Sequence, residues 1–136
     1  NVITVSQYDR LEDAIYLMMK HHVGVLPVVD NKQVYGIITD KDVFKAFLEI
    51  SGYGEEGVRV EILAEDTVGI LAKVIDTIAE RNLNIKRTII ATRQSGKVAV
   101  EVQIDGKTDI ENLKNKLMER GIDVKAVEKT VAKSLD

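Results

Sequence analysis

Seven residues, Ser51-Gly52-Tyr53-Gly54-Glu55-Glu56-Gly57, break the apolar pattern of this chain and divide what lies on either side. Three glycines among mostly polar neighbours favour a turn or a linker over a helix or a strand. The chain is 136 residues long, so it can build one ordinary core or two very small ones. The break favours two, with domain boundaries at 1–52, 53–57 as linker, 58–130, and 131–136 as a frayed tail.

Before the break the expected order is β-α-β-β-α. Val2-Ile3-Thr4-Val5 is a short β-type run. Asp9 is placed as a helix N-cap, with Glu12 three residues on completing a variant of the capping box. Leu11, Ala14, Ile15, Met18 and Met19 follow at helical spacing, giving one apolar stripe and assigning both methionines to the core. Gly24 lets the chain leave that helix. Leu26-Pro27-Val28-Val29 reads as a short buried strand, with Pro27 restricted to a strand start or an edge because it has no N–H. Asp30-Asn31-Lys32 is a turn. Residues 34–39 form a second strand, apolar enough to be covered on both faces. Asp40 caps a second helix whose stripe is Val43, Phe44, Phe47 and Leu48.

After the break, Val58, Val60, Ile62 and Ala64 alternate with Arg59, Glu61, Leu63 and Glu65, mostly the period of a half-buried strand. Asp66-Thr67-Val68-Gly69 turns, with Asp66 as cap, into a helix carrying Ile70, Leu71, Val74, Ile75 and Ile78 on one face. Asn82 can take the left-handed conformation that ends a helix. Residues 85–92 are β-rich, Gln94-Ser95-Gly96 supplies a hairpin turn, and Val98, Val100, Val102 and Ile104 alternate. Thr108 with Glu111 reads as a capping box. Ile110, Leu113 and Leu117 form the next helix stripe, Gly121 sits at its C-cap, and Ile122, Val124 and Ala126 make a last strand. The order β-α-β-β-α-β is ferredoxin-like and implies an antiparallel sheet with helices on one face. The expected fold class is α+β throughout.

Composition narrows the function. Apolar residues are 45% and charged residues 30%, as in globular chains rather than disordered ones. The formal net charge of -3, with both signs interspersed, argues against a nucleic-acid partner. Aromatic residues are 4%, with no Trp, which argues against stacking on single strands. There is no cysteine, so disulfides and thiolate metal sites are impossible. No signal peptide opens the sequence and no apolar run could span a bilayer, so a cytoplasmic protein without a membrane partner is expected. The chain starts at Asn1 rather than Met and is read as a fragment or a trimmed product. His21 and His22 are neighbours on a helix end, about 100° apart, so they do not chelate one metal together. No GxSxG, HExxH or P-loop is present, and no nucleophile has a paired base. The expectation is a protein that binds small molecules without transforming them, and with no resident cofactor.

Three stretches in the first part, Asp9-Arg10-Leu11-Glu12-Asp13-Ala14, Val25-Leu26-Pro27-Val28-Val29-Asp30 and Gly36-Ile37-Ile38-Thr39-Asp40-Lys41-Asp42, resemble a CBS motif, the unit that pairs into Bateman modules. The second part resembles an ACT domain, a regulatory ligand-binding module, through Asp66-Thr67-Val68-Gly69-Ile70-Leu71 and Asn82-Leu83-Asn84-Ile85. That family prefers Pro where this chain has Val68 and Gly where it has Asn82. A CBS unit followed by an ACT domain is similar to the acetoin-utilisation regulatory proteins of bacteria. Those proteins carry two CBS motifs before the ACT domain; one is visible here, and it resembles the second.

The CBS resemblance implies an adenosine ligand: AMP, ADP, ATP or another adenosyl compound. Thr39 would contact phosphate or ribose and Asp42 would accept from ribose hydroxyls, while Ile3, Val23 and Val25 would flank the adenine. Physical chemistry supports the place, since a strand ends at Thr39 and the following helix start offers N–H groups to an anion. A capping role explains Asp40 and Asp42 equally well. The ACT resemblance implies an amino acid at the loop, commonly across a dimer interface. Asp66 would receive its amino group, Gly69 and Ile70 would lie against it, and Asn84 would donate and accept. The bland alternative is a tight strand-to-helix turn.

Three readings of function result. The chain is a regulatory sensor of an adenine nucleotide and an amino acid, a ligand-free dimerisation or interaction module, or the detached regulatory end of a metabolic enzyme. All three involve a homodimer or a dimer-based oligomer. A CBS unit of about fifty residues is small for an independent core, and the ACT sheet leaves a face or an edge open to pairing.

Overall fold

The structure, a computed structural model, describes residues 2–92, 95–105 and 107–136. Its elements are α1 (Leu11–His21), β1 (Val25–Asp30), β2 (Gln33–Thr39), α2 (Asp40–Ser51), β3 (Gly57–Glu65), α3 (Ile70–Ala79), β4 (Asn84–Thr92), β5 (Lys97–Asp105), α4 (Ile110–Glu119) and β6 (Asp123–Thr130). They fall into two α+β units, Asn1–Ile50 and Ser51–Asp136.

In the first unit β1 and β2 pair antiparallel, with Val25 opposite Thr39 and Leu26 opposite Ile38. Leu26 is buried with Val5, Ala14, Met18 and Val43, and Ile3, Leu11, Ile15, Val23, Val28 and Ile38 pack around them. The strand expected at 2–5 reduces to one parallel bridge, Val5 to Val28. The Val5 N–H donates to the Pro27 carbonyl at 3.0 Å and the Val29 N–H donates to the Val5 carbonyl at 2.8 Å. Pro27 turns its carbonyl, and therefore its donor-less nitrogen, toward this short side, so no ladder bond is lost.

Three expectations for this unit are corrected. Asp9 does not cap α1: its carboxylate accepts the Ser6 N–H at 2.8 Å and closes the preceding turn, and Asp13 instead reaches back to the Arg10 N–H at 2.9 Å. His22, at φ 53, rather than Gly24, makes the left-handed exit from α1. Residues 34–39 are not covered on both faces, since Val34, Tyr35 and Ile37 are exposed. A two-stranded sheet backed by helices on one side has nothing within the unit to cover the other side.

In the second unit the strand order is β4-β5-β3-β6, all antiparallel. The rows Val58, Val60, Ile62 and Val98, Val100, Val102, Ile104 are buried with Val74 and Ile78 of α3, Leu113 and Leu117 of α4, and Ile122. Each such side chain stabilises the fold by about 1.5–3 kcal/mol relative to exposure. A bulge between Glu61 and Ile62 shifts the register of β6, so Val127 follows Val124 against the core and Ala126 falls out of the expected row. Asn82 (φ 58) and Gly121 (φ 76) take the expected left-handed positions after their helices. The cap of α4 is Asp109, not Thr108: its carboxylate accepts the Asn112 N–H at 3.1 Å because the helix begins one residue later than the capping-box reading implied. Gln94, assigned to the hairpin turn, lies outside the described residues, and Gly96 has φ 73. The Lys133 N–H donates to the Gly54 carbonyl at 2.9 Å, so the segments read as linker and frayed tail are bonded to each other.

Candidate functional site

At the corner where β2 becomes α2, Thr39 and Asp42 satisfy each other. The Thr39 N–H and hydroxyl donate to Asp42 Oδ2 at 2.9 and 2.8 Å, and the Asp42 N–H donates back to Thr39 Oγ1 at 3.1 Å. This is a reciprocal capping box with Thr39, not Asp40, as the cap. The Asp42 carboxyl is held below its ordinary value by the Thr39 backbone N–H first and the Thr39 hydroxyl second, with the Lys45 and Lys41 charges adding to the shift and desolvation opposing it. Val25 faces Thr39 across the ladder, and the Asp40 N–H donates to the Gly24 carbonyl at 2.9 Å. Val25, Thr39 and Asp42 therefore share one corner; Ile3 and Val23 pack on the core cluster, and Val23 also lines a groove with Asp40 at the start of α2.

A feature that the sequence reading missed lies between α1 and α2. An apolar groove of about 540 Å³ is lined by Ile15, Met18, Met19, Val43, Phe44 and Phe47, among others. Met18 is buried as expected, but Met19 is 72% exposed, Phe44 65% and Phe47 58%. The assignment of Met19 to the core is corrected, and Phe44 and Phe47 of the α2 stripe stand exposed beside it. Val43, Phe44, Phe47 and Leu48 spread over two adjacent rows of α2, and of the four only Val43 is buried, in the cluster with Leu26. That doubled stripe was the available signal.

In the second unit the 66–70 loop is anchored by its backbone. The Asp66 N–H donates to the Gly96 carbonyl at 3.0 Å and the Thr67 N–H to the Glu65 carbonyl at 2.9 Å. Asp66 does not cap α3: the N-cap is Gly69, which has no side chain, and no side-chain cap bond is made. Gly69 has φ 89, and a Cβ there would meet nothing within 4 Å. The backbone angle, not a close approach within the chain, is what calls for glycine. Val68 is fully exposed at the tip of the loop. Ile70 borders a cavity of about 210 Å³ whose wall includes Glu65, Lys97 and Asp123, so both signs of charge line it. A wider hollow of about 470 Å³ on the open sheet face, with Glu61, Leu63, Ile89, Glu101 and Lys125 in its wall, contains none of the expected site residues.

Asn84 is not beside this loop. It pairs with Asp105 at one end of the sheet, while Glu65 pairs with Lys97 at the other. Nine-residue strands separate the two ends by on the order of 25 Å. One chain brings together Asp66, Gly69 and Ile70 but not Asn84.

Among the described residues no group of three or more His, Cys, Asp or Glu side chains could hold a metal ion. No described helix is long and apolar enough to cross a membrane.

Comparison with known proteins agrees with the two-unit division. Residues 1–49 match the CBS domain family and residues 54–128 the ACT domain family. Over 48 residues the chain is 46% identical to an uncharacterised protein of Methanocaldococcus jannaschii, covering 35% of this chain and 17% of that one. It is 44% identical over 46 residues to inosine-5'-monophosphate dehydrogenase of Korarchaeum cryptofilum, covering 34% and 10%. It is 36% identical over 56 residues to the CBS domain-containing protein YhcV of Bacillus subtilis, covering 41% and 38%. The chain thus spans well under half the length of these relatives. A solved structure of a Bacteroides thetaiotaomicron protein aligns over 89% of this chain and 85% of its own, with TM-score 0.40 and 16% identity. Both matched families are regulatory rather than catalytic, and CBS domains commonly bind adenosyl ligands. With more than half of its length in the match, the chain belongs to the ACT domain family and carries a CBS domain ahead of it, as a regulatory ligand-binding module.

Proposed function

We propose that the chain is a cytoplasmic, dimer-based sensor that reads an adenine nucleotide through its CBS unit and an amino acid through its ACT unit, in the manner of the acetoin-utilisation regulators. The observation that carries the amino-acid reading is the separation of Asn84 from Asp66, Gly69 and Ile70 within one chain. The helix α3 runs from the loop end of the sheet to the Asn84 end. A two-fold pairing through the β4 edges lays the two α3 helices side by side in opposite directions, which brings the partner's Asn84 to the 66–70 loop. Features of the two edges favour this pairing. β6 carries Asp123, Lys125, Glu128 and Lys129, charges that protect an edge. The latter part of β4, from Thr88 onward, carries none. Ile90 there is 50% exposed, although Val100 opposite it is buried.

For the nucleotide, support comes from Val25, Thr39 and Asp42 sharing one corner at the start of a helix. The protein regulated by this module, in this reading, is an enzyme or pathway component bound in trans. One relative, the dehydrogenase, has the matching 46 residues as 10% of a chain named as an enzyme, which favours a second reading of this chain as the regulatory portion of a metabolic enzyme. The Thr39–Asp42 capping box favours a third, a ligand-free interaction module, because it gives both residues a purely structural role.

Thermal unfolding with AMP, ADP, ATP and the common amino acids separates the sensor from the ligand-free module, and the full-length gene decides whether an enzyme is attached. A ligand at a hundred times its dissociation constant adds about 2.7 kcal/mol to stability. Unchanged unfolding with every nucleotide and every amino acid would leave the interaction module as the function.

A further inference from the structure

Where the chain enters its second unit, segments far apart in sequence hold one another. Glu55 receives both terminal guanidinium nitrogens of Arg87 on β4, and both side chains are half-buried. Lys86 Nζ lies 4.0 Å from the same carboxylate. Thr130, at the end of β6, donates its hydroxyl to the Glu55 carbonyl at 2.8 Å and accepts from Nε2 of the buried Gln103 at 3.1 Å. The Lys133 N–H donates to the Gly54 carbonyl at 2.9 Å. The Lys133 ammonium donates to the Tyr53 hydroxyl at 2.7 Å and stands 4.8 Å from the centre of that ring. Gly52, at φ 79, lies flat against Arg87: a Cβ there would stand 2.8 Å from Nη1 and 3.1 Å from Cδ. A glycine-rich stretch that composition marks as a tether is thus bonded at residues 53, 54 and 55 and packed at 52.

We propose that these contacts form a latch, with the Arg87–Glu55 pair as its bolt, that sets how much free chain joins the two units. Closed, the second unit begins at Gly52, directly after α2 ends at Ser51. Open, it begins at β3, and the five residues released add at most roughly 17 Å of reach. The strap at 52–55 and the tail at 131–135 open together, because each supplies the other's backbone or side-chain partner. A two-pronged Arg–carboxylate pair has a single well-defined geometry, so its loss is a discrete step rather than a gradual loosening. This latch depends on no ligand assignment.

Amide hydrogen exchange on the whole chain, with cleavage by a glutamate-specific protease after Glu56, tests it. In Arg87→Met the bonded amides of residues 55 and 133 are expected to exchange together about tenfold faster or more, with cleavage accelerated by a similar factor. Amides of β5 should keep wild-type protection. If β5 is also deprotected, the substitution has loosened the whole unit, and Glu55→Gln, which keeps size and leaves β4 intact, is read in its place. Acceleration at residue 55 without residue 133, or at neither, overturns the latch.

Discussion

At position 69 the backbone stands at φ 89, and the space beside it is open. The two facts separate a conformational reason for glycine from a steric one, and they predict different tolerances. Gly69→Asn should fold with near wild-type stability, since Asn visits the left-handed region readily. Gly69→Val should lose about 1–3 kcal/mol through backbone strain. Urea unfolding of both variants is the check; equal losses would mean that φ is not the constraint. Asp42 poses a similar question. Its carboxylate closes the start of α2, so Asp42→Ala removes the cap and, in the nucleotide reading, a ribose acceptor. Calorimetry with AMP, ADP and ATP should show affinity reduced by roughly an order of magnitude or more. Undiminished binding would leave Asp42 as a cap alone.

Elements in the second unit are joined by polar braces as well as by the apolar rows. Arg120, just past α4, reaches Thr77 Oγ1 at 3.2 Å and Glu80 Oε1 at 3.0 Å at the end of α3, and the buried Thr77 also donates to the Lys73 carbonyl at 2.7 Å. Hydrogen bonds from Arg120 hold the Glu80 carboxyl below its ordinary 4.5, and hydrogen bonds from Arg87 do the same for Glu55. In the first unit the Ser6 hydroxyl, followed by the Gln7 N–H, lowers Asp30 below its ordinary 3.8. A carboxyl whose folded value is depressed stabilises the fold fully above its unfolded value, and that contribution is lost as pH falls through the folded value. Stability contributed by these groups should therefore be flat above about pH 5 and decline below about pH 4. Urea midpoints measured from pH 7 down to 3 test this; no decline would show that these bonds leave the stability unchanged. At the β4 edge, Ile90→Lys should leave the fold intact, because Ile90 is half-exposed, and should block pairing through that edge.

Each of the two units has an apolar surface that its own elements leave uncovered. One is the α1–α2 groove with Met19, Phe44 and Phe47, and the other is the β4 edge with Ile90. Two-fold pairing is the commonest symmetry among soluble homo-oligomers, and in the dimer reading these are the surfaces it would use. If each joins a separate pair of chains, Ile90→Lys or Phe47→Glu alone should leave dimers, and the double variant should give monomers near 15.1 kDa by light scattering. A wild-type chain that is monomeric at micromolar concentration would remove both interfaces. The latch at 52–55 acts at this scale too, since it lies where the chain passes from one unit into the next.

The division at the glycine-rich break and the β-α-β-β-α-β order were legible in the sequence, because local periodicity and turn chemistry act over a few residues at a time. So were Thr39 and Asp42 as a strand-to-helix corner, and Asn82 and Gly121 as helix exits. Cap positions were less legible: Asp9 and Asp109 differ from their rivals only in where the first hydrogen-bonded turn closes. Tertiary structure alone decided which side of an apolar stripe is covered. The spacing of Met19, Phe44 and Phe47 is the same whether a core or open solvent lies opposite. It alone revealed that Asn84 and the 66–70 loop stand at opposite ends of the sheet, since their distance depends on strand direction and register rather than on spacing along the chain. It alone turned 52–55 from a tether into a bonded strap, because the partners, Arg87, Thr130 and Lys133, are brought there by the closing of the sheet.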